Sequence, residues 1–315
     1  MTSAFRVEIL EDPAAVLTVA GDHLGADPVR SSVVASVTHH AARTFTPEGP
    51  RPAHPMWWAV VRDAGGAVVA VSMRTMPHAP HTLWVPAMPE DAARLLARTA
   101  VEHTEAAGDP PLTSANGPLP AVQHFTDEVL RATGGTMHEG RPDRLWEATR
   151  IIAPDPGPAG RARRATLADL ELVTAWFAVF HPEADAQAGR PPEAEPLRIE
   201  GARRWIDEGN VRLWDVGGEV VHLTGMRPPS FGVVRIGPVY TPPEHRGQGY
   251  AQAMVADVAQ HLLDAGHRVC LYTDRDNPVS NRVDAAIGFE PVHDQVNLLV
   301  EPGVVAAGAA AREQG

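Results

Sequence analysis

The stretch that decides the fold is His245-Arg246-Gly247-Gln248-Gly249-Tyr250-Ala251. It follows an apolar run at 233–240 and leads into a run of helical character at 249–265. A strand that turns through glycines into a helix presents unpaired backbone amides, and the helix dipole adds about half a positive charge there. Gly247 and Gly249 carry no Cβ, so their backbone can approach an anion closely. The stretch therefore predicts a site for a phosphorylated cofactor.

The spacing of residues in this stretch excludes the common nucleotide loops. The chain contains no lysine, so the pattern GxxxxGK[ST] is absent, and GxGxxG is absent too. What stands at 246–251 is Arg-x-x-Gly-x-Ala, followed by Asn277-Pro278-Val279-Ser280-Asn281 and by Ile287-Gly288-Phe289. These motifs, in this order, resemble those of the GNAT acetyltransferases, whose pyrophosphate loop reads Arg/Gln-x-x-Gly-x-Gly/Ala. The resemblance covers roughly residues 160–300 closely and the first half only loosely.

Length and composition indicate a globular protein of about two domains, because the chain has 315 residues and a hydrophobic share of 44%. No apolar run reaches the roughly 18 residues that span a membrane, and the N-terminal residues do not read as a secretory signal. The single cysteine, Cys270, excludes an internal disulfide and fits a reducing compartment. We therefore expect a cytoplasmic protein without a membrane partner.

The net charge of −12 argues against sequence-independent binding to nucleic acid, which needs clustered cations. It is compatible with a cationic small substrate such as an amine, but solubility alone explains it equally well. The metal-binding patterns HExxH and CxxC are absent, so we expect no metal.

A linker is predicted at 153–160, where three prolines and two glycines stand within eight residues. It divides the chain into a first domain at 1–152 and a second at 161–302, with a flexible tail at 303–315. The second half reads as a mixed α/β, or α+β, domain. Thr166-Leu167-Ala168-Asp169 has the spacing of a helix capping box, and a second helix is predicted at 196–208. Gly217-Gly218, between apolar runs at 211–216 and 219–226, predicts a hairpin. Its predicted order is β-α-α-β-β-β-α-β-α-β, which is the order of the GNAT fold, with a mostly antiparallel sheet flanked by helices. In this reading the strand at 291–300 closes the sheet.

The first half shows a faint copy of the same layout. Pro89-Glu90 and Pro243-Glu244 are separated by the same number of residues as Gly134 and Gly288. The copy predicts two GNAT-like domains in tandem, the first of them degenerate, since 91–95 carries no glycine where the second half has its phosphate loop. Coincidence among common turn residues is the alternative.

The resemblance implies acyl transfer from acetyl-CoA or another acyl-CoA to a small-molecule amine, such as a metabolite or an antibiotic. Arg246 would add charge to the backbone grip on the pyrophosphate, and the end of the strand before the loop would pair with the pantetheine arm. The candidate cofactor-binding residues are Val239, Tyr240, Thr241, Arg246, Gly247, Gln248, Gly249, Tyr250, Ala251, Asn277 and Ser280. Asn277 is equally well placed to cap the helix that follows.

The catalytic candidates are Asp284, Tyr240 and Glu219. Many relatives carry, at the position of Asp284, a tyrosine that protonates the leaving thiolate. An aspartate with a pKa near 3.9 is ionised at neutral pH and donates protons poorly. Either water assists the thiolate, or another tyrosine such as Tyr240 substitutes, or the protein is a non-catalytic CoA-binding or sensor module. A further alternative is an acyltransferase whose donor is bound to a carrier protein.

Overall fold

The computed structural model describes residues 4–44, 49, 52–187 and 199–301. The strands are β1 (Phe5–Leu10), β2 (Trp57–Asp63), β3 (Val68–Arg74), β4 (Leu83–Trp84), β5 (Ser114–Gly117), β6 (Thr136–Ala148), β7 (Arg161–Arg164), β8 (Val211–Val216), β9 (Glu219–Met226), β10 (Val233–Tyr240), β11 (Arg268–Asp274) and β12 (Phe289–Glu301). The helices are α1 (Pro13–Ala26), α2 (Ser32–Thr44), α3 (Glu90–Ala107), α4 (Ala121–Thr133), α5 (Leu170–Gln187), α6 (Ile199–Asp207), α7 (Tyr250–Asp264) and α8 (Pro278–Ala286).

The chain forms two compact units, and neither is a continuous piece of sequence. The first unit consists of 1–23, 41–142 and 295–315, and the second of 24–40 and 143–294. β6 and β12 are each 13 residues long, and each contributes its two ends to different units.

The first unit is a sheet in the order β1-β2-β3-β4-β5, followed by the C-terminal part of β12. Its strands pair antiparallel except β4 with β5. Helices α3 and α4 cover its core, in which Trp57, Leu83, Leu96 and Phe125 are buried. Burial of apolar surface of this kind is the main favourable contribution to folding.

The second unit is a sheet in the order β6-β11-β10-β9-β8-β7, antiparallel except for the pair β10 and β11. Because neighbouring strand residues point to opposite faces, the sheet carries two cores. On one face, Val234 and Ile236 pack with Met254 of α7. On the other face, Leu223 packs with Phe177 of α5 and Ile206 of α6.

The predicted element order of the second half is confirmed, and so is the mixed, mostly antiparallel fold. The hairpin of β8 and β9 and the strand β10 have the predicted bounds. The predicted capping box forms, since the N–H of Thr166 donates to the Asp169 carboxylate at 2.8 Å. The helix predicted at 196–208 is present as α6, and its first predicted residues, at 196–198, lie outside the described ones.

The strand that closes the second sheet differs from the prediction. We expected the strand at 291–300 to close the sheet of the second half. Instead Asp143–Ala148 of β6 pairs with β11, while Val296–Leu299 of β12 pairs with β5 of the first unit. An alternating apolar pattern predicts that a strand forms and which face it buries, but it does not name the neighbouring strand.

The predicted linker at 153–160 runs from β6 to β7 inside the second unit. The domain boundaries at 1–152 and 161–302 stay a prediction from the repeat in the sequence. The two compact units are divided at other positions. The proposed tail at 303–315 lies outside the described residues. Among the residues that the structure describes, no helix has both the length and the apolarity needed to cross a membrane.

Candidate functional site

Strands β10 and β11 separate halfway along their length. Their parallel pairing runs over Val233–Ile236 and Arg268–Leu271 and ends there. The next residue, Gly237, has a φ of 144°, a conformation that favours glycine, and the register with β9 shifts before Val239. From that point to Tyr240, β10 keeps only β9 as a described partner. The open edge can pair with an extended chain of amides, as an added strand would.

The open strand end leads, through one short helical turn at Pro243–His245, into the glycine loop. Gly247 and Gly249 have φ values of 75° and 83°, and Gln248 lies between them. Helix α7 begins at Tyr250, and the N–H of Ala253 makes the bond to the carbonyl of Gly249 at 3.0 Å. The amides of the first three helical residues therefore have no acceptor within the helix. With the helix dipole they form an anion site beside the open strand.

Arg246 is tied to the strand end and to α5. Its Nε donates to the carbonyl oxygen of Thr241 at 2.9 Å, and its Nη2 lies 2.5 Å from Oε2 of Glu183. The hydroxyl of Tyr240 donates to Oε1 of the same carboxylate at 2.8 Å. Desolvation by burial, followed by the hydrogen bond to Glu183, raises the pKa of Tyr240 to about 12. Glu183 thus organises two predicted site residues, and no local pattern in the sequence singled it out.

His222 fixes the same strand end from the other face of the sheet. Its Nδ1 lies 2.7 Å from Oγ1 of Thr241, and its Nε2 lies 2.8 Å from Oγ1 of Thr224. Burial lowers the pKa of His222 to about 3, so the ring is neutral and both of its nitrogens are engaged. These properties suit a positioning role better than that of a general base.

Asn277 caps helix α8, as one of the two interpretations of the sequence expected. Its Oδ1 accepts from the N–H groups of Val279 and Ser280 at 3.0 and 3.3 Å. Asn281, one turn further along, accepts from the Thr273 hydroxyl at 2.8 Å and donates to the carbonyl of Arg275 at 2.7 Å. This side chain holds the start of α8 against the end of β11.

Asn281→Ala should lower the free energy of unfolding by about 2–3 kcal/mol, because it leaves several partly buried partners unpaired. It should also weaken binding of the acyl-CoA that the sequence resemblance leads us to expect, since the turn that carries Asn277 and Ser280 loses its anchor. Urea unfolding and calorimetric titration measure the two effects. Gln260→Ala, which removes one exposed side-chain bond to Asp264, is the control and should shift neither by more than about 0.5 kcal/mol.

Asp284 differs from the sequence expectation of an ionised side chain. It lies near the C-terminal end of α8, which packs on β11, and only 5% of its surface is exposed. Burial raises the pKa of its carboxyl to about 7. The sequence shows the residue type but not the depth at which α8 places it. The raised pKa therefore keeps a protonated form of this carboxyl, which can donate, available near neutral pH.

Glu219 lies at the exposed start of β9, with a side chain 70% exposed and 3.5 Å from Nε2 of His245. It is four residues from Leu223, which lies opposite Tyr240 on β10. At 3.3 Å per residue this is about 13 Å along the strand. The structure therefore does not bring Glu219 to the open edge of β10.

The corresponding helix of the first half, α3, begins differently. It starts after Pro89 with Glu90 and Asp91 in its first turn, and Glu90 pairs with Arg94 at 2.7 Å. Carboxylates at a helix N-terminus already satisfy its dipole and repel a phosphate. This start contrasts with the glycine loop before α7.

Within the described ranges, no group of three or more His, Cys, Asp or Glu side chains is arranged to hold a metal ion.

Several solved structures with a similar fold are described as GNAT proteins or acetyltransferases. A GCN5-related N-acetyltransferase from Sphaerobacter thermophilus aligns over 96% of this chain and 98% of its own, with 17% identity and a TM-score of 0.60. A tandem GNAT protein from the clavulanic acid biosynthesis pathway aligns over 95% and 99%, with 17% identity and a TM-score of 0.55. A GNAT-family acetyltransferase from Colwellia psychrerythraea aligns over 94% and 100%, with 12% identity and a TM-score of 0.53.

The chain therefore has the fold of the GNAT acetyltransferases in its tandem form. A family model described as FR47-like protein, which is GNAT-like, matches residues 224–298, the segment that holds the open strand, the glycine loop and α8. The resemblance predicted from the motifs is confirmed. No match is found among curated proteins.

Proposed function

We propose that the second unit is an acyl-CoA-dependent N-acyltransferase that transfers an acetyl group to a small-molecule amine. One observation carries the proposal: the open edge of β10 is followed, after one short helical turn at Pro243–His245, by a glycine loop and a helix N-terminus. An acyl-CoA has a long arm with two amides at one end and a pyrophosphate at the other. The arrangement matches these two parts in order.

The backbone supplies most of the proposed grip. Residues Val239 to Thr241 would pair with the pantetheine amides, and the amides from Gly247 to Ala251 would hold the pyrophosphate. A free N–H near Val239 or Tyr240 would polarise the thioester carbonyl, as an oxyanion hole does. Ser280 and Asn277, beside the cofactor path on α8, would complete the site.

Asp284 would be the proton donor. The amine nitrogen attacks the thioester carbon, the C–N bond forms, and the C–S bond breaks with its electron pair on sulfur. The sulfur takes the proton of Asp284, which burial keeps available near pH 7. The proton lost by the amine passes to water, because Glu219 lies too far along β9. The carboxyl then regains a proton from solvent.

Tyr240→Phe tests the competing donor. The Tyr240 hydroxyl donates to Glu183 and its pKa is raised to about 12, so it is a weak acid with its proton engaged. We expect kcat to fall by less than about tenfold, with a loss of about 1 kcal/mol in stability from the missing hydrogen bond. Steady-state thiol release measures kcat. A loss of about 100-fold or more would make Tyr240 the donor and remove that role from Asp284.

The activity itself is tested by thiol release from acetyl-CoA with a panel of small amines. Release that depends on the amine, with an N-acetylated product in mass spectra, is the expected result. Tight CoA binding without release for any amine would instead favour a sensor module. A rate that requires a carrier-bound acyl group would favour the carrier-dependent alternative.

The single described cysteine, Cys270, is buried and unpaired, which is consistent with the proposed cytoplasmic setting.

A further inference from the structure

Arg235 is a cation on the face of β10 that points away from α7. It lies directly opposite Cys270 on β11, and its neighbours along β10, Val234 and Ile236, belong to the opposite core. The face of Arg235 carries a small apolar cluster in which Val233 and Cys270 are buried. A charged side chain in such surroundings needs a partner.

That partner is missing among the described residues. Nη1 of Arg235 is enclosed and makes no hydrogen bond there, and no carboxylate of the described chain forms an ion pair with it. Desolvation lowers the pKa of Arg235, yet an arginine stays protonated in proteins. Burial raises the pKa of Cys270 to about 11 and raises that of Tyr272 as well, so neither supplies a negative charge. Arg235 as a whole is half-buried rather than buried, while its Nη1 atom is enclosed.

A second cation stands beside the first. The N–H of Arg227 donates to the carbonyl of Arg235 at 2.8 Å, and its guanidinium lies 4.6 Å from the centre of the Trp205 ring. Arg227 remains open to solvent, but the protein atoms around it, and then the charge of Arg235, lower its pKa to about 10. Two like charges side by side are unfavourable unless an anion joins them.

The two arginines border the point where β10 and β11 separate. Arg235 lies two residues before Gly237, about 7 Å along the strand. The Trp205 ring, which lies under the Arg227 guanidinium, packs closely on Gly225. A Cβ atom added to Gly225 would lie 2.7 Å from the Trp205 ring and 2.8 Å from Pro238. The arginine pair and Trp205 thus lie near the start of the open edge.

We infer that Arg235 and Arg227 bind a carboxylate or phosphate group of the acceptor, so that the acceptor is an anionic amine. This inference rests on the proposed acyltransferase function and narrows its substrate class. In the sequence, the net charge of −12 was compatible with a cationic acceptor. Local charge at a partly desolvated site outweighs the distant and screened charge of the surface, because screening is weak where water is excluded.

Matched acceptor pairs test the inference: β-alanine against its amide, and phosphoethanolamine against ethanolamine. The wild type should acetylate at least one anionic member with a kcat/KM at least about tenfold above that of its neutral partner. Arg235→Gln should reduce that value by about 10- to 100-fold, the range expected for a charged hydrogen bond. The neutral partner should change by less than about threefold. Arg204→Gln, an exposed arginine of α6, is the control and should behave like the wild type.

Thermal unfolding gives a readout that does not depend on turnover. The preferred anionic amine should raise the melting temperature of the wild type and of Arg204→Gln, but not that of Arg235→Gln. Without ligand, Arg235→Gln should be at least as stable as the wild type, because it removes an unpaired buried charge. Acetylation of neutral amines in preference to anionic ones, or an equal loss for both in Arg235→Gln, would overturn the inference while leaving the proposed function intact. Anion-dependent stabilisation without turnover would overturn the function alone.

Discussion

Gly249→Glu should weaken acetyl-CoA binding by at least about 100-fold. Gly249 precedes the first residue of α7 and has a φ of 83°, and its backbone faces the proposed pyrophosphate position. A carboxylate there adds a negative charge at the point where two phosphates are expected, and a juxtaposition of like charges costs several kcal/mol. Each 1.4 kcal/mol is a factor of ten in affinity. Isothermal titration with acetyl-CoA measures the loss.

The other end of the same helix provides a matched control. Gly266 has a φ of 82°, and a Cβ at either glycine would meet no heavy atom within 4 Å. Gly266→Glu therefore carries the same new charge and the same backbone strain, about 1–2 kcal/mol. Gly266→Glu should lose somewhat more stability, because its carboxylate lies at the C-terminal end of the helix dipole. Only Gly249→Glu should lose the cofactor. Equal affinities in the two variants would exclude the loop as the pyrophosphate site.

Asp284→Asn should lower kcat by about 100- to 1,000-fold, because an amide of the same shape cannot donate a proton to a thiolate. In the wild type, the protonated fraction of Asp284 falls as the pH rises through its pKa of about 7. The wild-type kcat should therefore decline above that pH, and the decline should be absent from the residual activity of the variant. Rates of thiol release between pH 6 and 9 give both results.

The Asp284→Asn variant should gain stability at the pH where the wild-type carboxyl is ionised, although it loses activity. The folded-state pKa of about 7 lies above the unfolded value of 3.8, so the folded protein binds more protons between them. The contribution of Asp284 to stability is thus complete below about pH 4 and is lost as the pH rises through about 7. Asp284→Asn avoids burying a charge and should be more stable than the wild type at pH 8, by an amount on the order of a few kcal/mol.

Asp264→Asn, an exposed aspartate at the end of α7, is the control for both measurements and should leave the pH profiles unchanged. If Asp284→Asn kept the full kcat, the thiolate would leave without this donor. If it gained no stability at pH 8, the carboxyl would not be buried as the structure places it. A loss of activity combined with a gain of stability is difficult to explain by a structural defect.

The elements of the second half follow from local sequence, while the neighbours of its last strands do not. Gly217-Gly218 between two apolar runs predicted the hairpin of β8 and β9, and the residues after Gly249 predicted α7. These signals act within a few residues. β6 pairs with β11, and β12 pairs with β5, so each pairing joins residues that are far apart in the chain. The periodicity of a strand carries no information about such distant partners.

The candidate site divides in the same way. Its glycines and its helix cap, Asn277, are backbone features that a short motif encodes. The roles of Glu183 and Asp284 depend on which side chains tertiary packing brings together and how deeply it buries them. The glycine loop was therefore predictable from the sequence, whereas the burial that raises the pKa of Asp284 was not.

The central claim is that this chain binds one acyl-CoA through the loop before α7. Isothermal titration of the unmodified protein with acetyl-CoA tests it most directly. We predict saturable binding with one site per chain, since α7 starts with the glycine loop whereas α3 starts with Glu90 and Asp91. The absence of binding at millimolar acetyl-CoA, or two equivalent sites per chain, would contradict the account.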